Sequence, residues 1–197
     1  MPLQNRVLAT GDIVAASARG LFMGNRGILH DGNQALARAR WKHKAWVTCV
    51  LKHRDWHRTV MSPGAYTELF FLDEAVALAA GHRPCAMCRH SDYTDYRAAA
   101  GMQGAAKDMD AKMHKERAEA LTFRQKRHLA EADTLPDGAI IFDGVPKMVV
   151  GDALKPVTAN GYGAPQPRIQ GSVTVLTPVT SLAALNAGYK PVLHPTA

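Results

Sequence analysis

Three cysteines and a histidine constrain this chain more than any other feature. They fall as Cys49-x3-His53 and, after a gap, Cys85-x2-Cys88, and the chain has no other cysteine. A Cys-x2-Cys pair on a tight turn presents two thiolates to one metal at about 2.3 Å. Cys49 and His53 stand four residues apart, so both side chains can lie on one side of a turn. Three thiolates and one imidazole form a tetrahedral set that suits Zn2+, and four protein ligands leave no open coordination position. The spacing therefore predicts a structural zinc first and a catalytic one second. His57 and His90 are alternative fourth ligands.

Two other readings of the cysteines compete with zinc. A C-x-x-C pair inside a cell can be a redox dithiol, although such a pair normally sits where a strand enters a helix. Here His82-Arg83-Pro84 precedes Cys85 and Arg89-His90 follows Cys88, a proline-bearing loop that suits a metal knuckle. Free cysteines can also pack as small hydrophobes.

The chain has 197 residues, and 47% of them are apolar, enough for a real core. That excludes a disordered tail and a disulfide-stapled miniature domain. No stretch approaches the apolar length of a membrane span, and Met1 to Gly11 lacks a secretion-signal pattern. The expected location is the reducing cytoplasm, where thiolates stay available for metal.

The net charge of +7 is unevenly spread. Arg38, Arg40, Lys42, Lys44, Lys52, Arg54 and Arg58 crowd one segment, opposed only by Asp55. All three tryptophans, Trp41, Trp46 and Trp56, are interleaved with them. Cationic side chains contact phosphates and aromatic faces stack on bases, so the segment is a candidate nucleic-acid footprint, with Arg89 approaching from the knuckle. The plainer alternative is a solvated face with the tryptophans turned into the core.

Along the chain, Asp12 to Ala16 reads as a strand. Ala18 to Gly27 reads as a glycine-rich loop whose amides, with Arg19 and Arg26, could form an anion nest, although it matches no phosphate-loop motif. Asn33 to Lys42 reads as a helix, Trp46 to Leu51 and Tyr66 to Leu72 as strands. Asp73 is placed to N-cap a helix over Glu74–Ala80 that Gly81 ends, and Ser91 to cap the next helix. The longest helical pattern runs from Ala105 to about Leu129. Strands follow at Ala139–Phe142, Pro146–Val150 and Ser172–Leu176, and Thr180 or Ser181 is placed to cap a last helix ending near Gly188. Three regions result: an N-terminal strand, loop and helix (1–45), a metal module with a helical extension (46–135), and a C-terminal β unit (136–197).

The run Phe70-Phe71-Leu72-Asp73-Glu74-Ala75-Val76-Ala77-Leu78-Ala79-Ala80-Gly81-His82-Arg83-Pro84-Cys85-Ala86-Met87-Cys88-Arg89 resembles the second half of the zinc domain of Ada-type DNA-repair proteins. Those carry two phenylalanines, a short alanine-rich helix and then G-F-R-P-C-x-x-C-R-P. The resemblance covers about Trp46 to Arg89. The family's upstream pair is Cys-x3-Cys, which implies Cys49 and His53 here. It further implies an α+β fold built on an Ada-like zinc module, with Zn2+ as cofactor and DNA as partner.

This chain departs from the family in three ways. It has His53 for a cysteine, it lacks the P-C-H-R-V hallmark of the family's other methyltransferase domain, and no helix-turn-helix module follows. In the Ada domain the first cysteine takes a methyl group from a DNA phosphotriester, which by position would be Cys49. A site of three thiolates and one neutral imidazole carries one negative charge instead of two, so its thiolates are weaker nucleophiles. The leading expectation is therefore a structural zinc beside a nucleic-acid-binding face, DNA in the first instance. An enzyme acting on DNA damage is the alternative, by alkyl transfer to Cys49 or by hydrolysis at Glu68, Asp110, His114 and Glu116. A zinc-stabilised protein-interaction module is the third.

Overall fold

Short β-branched and aromatic runs, bounded by glycines, build two sheets in the computed structural model, which describes residues 1–57 and 59–197. The first sheet contains β1 (Gln4–Val7), β2 (Ile13–Ala15), β3 (Phe22–Asn25), β4 (Val47–Val50), β5 (Leu69–Phe71) and β6 (Arg83–Pro84), in the order β2-β1-β5-β3-β4-β6. β1 runs parallel to β5 and β4 parallel to β6, whereas the other neighbours are antiparallel. Alternation gives the sheet two faces: Phe22, Thr48 and Phe71 are buried, while Met23, Cys49 and Phe70 on the other face are half-buried.

Between β5 and β6 lies α1 (Glu74–Ala79), every residue of which is buried. Asp73 caps it as expected, its Oδ1 accepting the Val76 N–H at 2.9 Å. Gly81 closes it with φ 83°. The helix can be central because it is rich in alanine. Ala77 and Ala80 pack with Phe22, Leu69 and Phe71 of the first sheet. Ala75, Val76 and Ala79 meet Ile140, Met148 and Leu176, and Leu78 joins Tyr96, Met113 and Val175.

Two helices follow, α2 (His90–Ala99) and α3 (Ala106–Arg117), then a small hairpin of β7 (Ala118–Glu119) and β8 (Arg124–Gln125). The second sheet comprises β9 (His128–Glu131), β10 (Ile140–Asp143), β11 (Val145–Val150), β12 (Ala153–Thr158), β13 (Gly161–Tyr162), β14 (Gln166–Pro167) and β15 (Ser172–Val175). Its order is β13-β12-β11-β10-β15-β9, with β14 also on β12, and its pairs are antiparallel. The last helix, α4 (Val179–Asn186), precedes Gly188 at φ 95°. The fold is α+β, with more sheet than helix. No helix among the described residues is long and apolar enough to cross a membrane.

Four local expectations need correction. Residues 33–42 form turns and no helix, because the Asp31 carboxylate accepts the N–H groups of Asn33 and Ala35, and Gln34 is left-handed at φ 62°. The glycine-rich stretch contains β3. Gly24 is there because a Cβ would lie 2.1 Å from the Val47 carbonyl oxygen. The long helix stops at Arg117, whose buried side chain turns into the core, and residues 118–131 form β7, β8 and β9. Finally, α2 begins at His90 and α4 after Pro178, so Ser91, Thr180 and Ser181 lie inside helices.

Candidate metal centre and basic face

β4 is the platform of the cysteine cluster. It pairs with β3 so that Cys49 stands opposite Met23, and with β6 so that Thr48 stands opposite Pro84. Pro84 ends that short edge, and the Cys85 N–H then donates to the Thr48 carbonyl at 2.9 Å. This delivers Cys85 beside Cys49. A tight turn follows, in which the Arg89 N–H reaches the Cys85 carbonyl at 3.1 Å and the Met87 N–H points at the Cys85 Sγ at 3.5 Å. The turn folds Cys88 back, and the three Sγ atoms lie within 4.8 Å of one another. Thiolates at the corners of a tetrahedron around zinc stand about 3.8 Å apart, so this spacing can hold a metal ion. All three are free cysteines, half-buried.

The thiols perturb one another. Hydrogen bonds from Cys49 and Cys88 pull the Cys85 thiol far below its usual value. Cys49 is pushed up, first by its bond to Cys85 and then by its bond to Cys88 and by burial. A cation bound at the cluster would take the place of the protons the thiols share.

The knuckle is clamped from behind. Arg89 is buried, pairs with Glu74 at 2.9 Å and Asp92 at 2.8 Å, and lies 4.4 Å over the Phe22 ring. Glu74 also accepts from the Tyr189 hydroxyl at 2.7 Å and the Val192 N–H at 3.0 Å. Arg89 is thus a structural anchor, which removes it from the nucleic-acid face. Two neutralising carboxylates explain why a sequence-adjacent arginine can be buried.

Among the described residues the metal-capable group consists of the three cysteines alone. His53 is not brought into it. Its ring meets Trp56 edge-on at 5.9 Å, and it lines a cavity of about 630 Å³ together with Met23, Val50, Trp56 and Phe70. Because Met23 stands opposite Cys49 on the same half-buried face, this cavity adjoins the cluster. His57 is exposed, and His90 bonds the Ala86 carbonyl at 3.1 Å.

The basic segment is divided by β4. Arg38, Lys42 and Lys44 are exposed and Arg40 half-buried before the strand, while Lys52 and Arg54 are exposed after it. β4, a four-residue strand about 13 Å long, lies between the two groups. Arg58 lies outside the described residues. Trp56 is 67% exposed, whereas Trp46 is buried and Trp41 packs against it at 5.3 Å. Trp46 is therefore a core residue, and the half-buried Trp41 packs at its edge.

The four acid–base candidates are dispersed. Glu68 is buried and accepts the Met61 N–H at 2.7 Å. Asp110 takes both arms of Arg83 at 2.8 Å. The His114 ring packs on Trp41 and Trp46, and Glu116 accepts the N–H and hydroxyl of Thr180 at 2.9 and 2.8 Å. Asp110 and His114, one turn apart, are drawn to different partners. Sequence reasoning offered Arg26 to an anion nest, but the structure buries it with His82 and Arg117 around Trp46; cations flanked by glycine or by other charges read as surface.

Compared with protein-family models, curated proteins and solved structures, the chain matches none of them.

Proposed function

We propose that this chain is a zinc-binding protein that binds nucleic acid, DNA in the first instance, through basic side chains beside an Ada-like metal site. The observation that carries the reading is the cluster of three cysteine sulfurs within 4.8 Å, from which β4 runs directly into exposed Lys52, Arg54 and Trp56. A metal at the cysteines would fix the direction of that exit. The two cations would then meet phosphates and the Trp56 face would take a base. Arg38, Lys42 and Lys44 would extend the track beyond the far end of β4.

The test is a double variant, Lys52→Ala with Arg54→Ala, in metal-loaded protein. Phosphate contacts carry no sequence information, so binding to all DNA sequences should weaken alike. The plot of log affinity against log salt should become shallower by about 0.9 per lost contact. A double variant that binds DNA like the parent refutes the face and favours a protein-interaction module.

A second reading is supported by the ligand count. Three protein ligands and an open fourth position are the arrangement of catalytic zinc, and here the cluster adjoins the cavity of about 630 Å³ that His53 and Trp56 line. On this reading Cys49 is the alkyl acceptor, or the metal polarises a ligand in the cavity. A mass gain of one methyl group on Cys49 after incubation with alkylated DNA is its signature.

A further inference from the structure

Away from the cysteines, the fold buries positive charge that, among the described residues, is not held in close ion pairs. Arg26 and Arg117 are both buried, and their guanidinium carbons lie 4.2 and 4.4 Å from the Trp46 ring centroid. Arg26 donates to His82 Nε2 at 3.2 Å and to the carbonyls of Ala80 at 3.3 Å and Gly11 at 3.4 Å. Arg117 donates to the carbonyls of Gly81 and Lys44, and its Nε is buried with no hydrogen-bond partner among the described residues. Burial above all lowers both pKa values, to about 9, which leaves both side chains cationic at neutral pH. Elsewhere the chain gives its buried arginines carboxylates, as in Arg83–Asp110 and Arg89–Glu74. Among the described residues neither Arg26 nor Arg117 has one within ion-pair distance.

The Gly11 carbonyl that takes Arg26 belongs to the wall of a cleft of about 520 Å³. Arg40, Arg124 and Arg127 line it, and none of them is ion-paired among the described residues. Arg127 rests 4.3 Å over the Phe142 ring. Phe123 also lines the cleft; it is left-handed at φ 55° and its ring packs on Trp41 at 4.9 Å. That strained residue fixes the turn from which Arg124 and Arg127 emerge. The cleft has two carboxylates, Asp12 and Glu119, which accept from the hydroxyls of Thr10 at 2.7 Å and Thr122 at 2.8 Å.

We propose that this cleft binds a small phosphate monoester, with Arg40, Arg124 and Arg127 on the phosphate and Asp12 and Glu119 accepting hydroxyl groups of the ligand's organic part. Guanidinium forks match phosphate oxygens in pairs, and Arg26, bonded to the Gly11 carbonyl of the wall, adds attraction that water screens little. The two carboxylates select against a continuous polyanion. A hydroxylated monoester such as a sugar phosphate uses them, whereas successive phosphates of a nucleic-acid strand are repelled by them. The site does not depend on the metal centre or on the function proposed above.

The experiment is calorimetric titration of the full chain at constant ionic strength with ribose 5-phosphate, inorganic phosphate, ribose and a single-stranded DNA oligonucleotide. Ribose 5-phosphate should bind one per chain and more tightly than inorganic phosphate, and ribose should not bind. Arg124→Gln with Arg127→Gln, both exposed positions, should weaken ribose 5-phosphate about a hundredfold, about tenfold for each charged contact, with an unchanged melting temperature. Lys107→Gln, an exposed cation outside the cleft, should change nothing. Failure of the parent to bind either phosphate probe overturns the proposal. So does an unchanged affinity in the double variant, or an oligonucleotide that displaces ribose 5-phosphate and loses its own affinity in that variant.

Discussion

Replacing Asp73 by alanine should cost far more than the loss of a helix cap. Its carboxylate is fully buried and accepts three hydrogen bonds: the Val76 N–H at 2.9 Å, the Tyr162 hydroxyl at 2.8 Å and the His194 N–H at 3.1 Å. The first is the cap of α1, whose loss costs about 1 kcal/mol. The other two tie the start of that helix to β13 and to the C-terminal segment, 89 and 121 residues away. Each leaves a donor without its partner, at about 1 kcal/mol or more. The sum is about 3 kcal/mol, which for a chain of this length lowers the melting temperature by about 9 °C. Asp73→Asn should fall between parent and alanine, because the amide oxygen can keep the cap while its NH2 group faces two donors. Thermal and urea unfolding of the three proteins at neutral pH measure this directly. A loss of only about 1 kcal/mol in Asp73→Ala would show that the carboxylate caps a helix and does not tie it to β13 and the C-terminal segment.

Two further outcomes bear on the site. Cys85→Ser should lower bound zinc from about one per chain to background, and chelation of the parent should loosen the knuckle around Cys85 and Cys88, read by limited proteolysis, because metal binding to such a cluster is folding free energy; a variant that keeps its zinc refutes the cluster. Asp110→Ala should destabilise by about 3 to 5 kcal/mol in urea, since it strands Arg83 as a buried unpaired cation; stability unchanged from the parent would return Asp110 to the pool of candidate catalytic groups.

What could be read in the sequence were features with local causes. Asp73 and Gly81 mark α1 because capping and left-handed turns use neighbouring backbone, and Cys85 and Cys88 share a turn because two residues separate them. The meeting of Cys49 with that pair was legible from spacing and from the resemblance to the Ada zinc domain, since β4 and β6 lie side by side. The errors came where a distant partner decides. Residues 118–131 carry helix-compatible charge, yet β9 forms because β15 offers it an edge. Arg89 looks like a surface cation until Glu74, fifteen residues earlier, is placed against it. Arg26 and Arg117 meet over Trp46 from elements 91 positions apart, and no periodicity announces that. His53 is the instructive case: its spacing from Cys49 suits a ligand, but the chain leaves β4 at Val50 and carries the ring to Trp56.

The most direct test of the account is DNA binding measured with and without metal across a range of salt. A fluorescent single-stranded oligonucleotide is titrated with zinc-loaded protein and with chelator-stripped protein between about 50 and 200 mM salt, the range over which phosphate contacts lose most of their affinity. The account predicts that the loaded protein binds with a steep negative dependence of log affinity on log salt, and that stripping the metal weakens binding at every salt concentration and is reversed by adding zinc. Equal affinities with and without metal, or binding indifferent to salt, would contradict it.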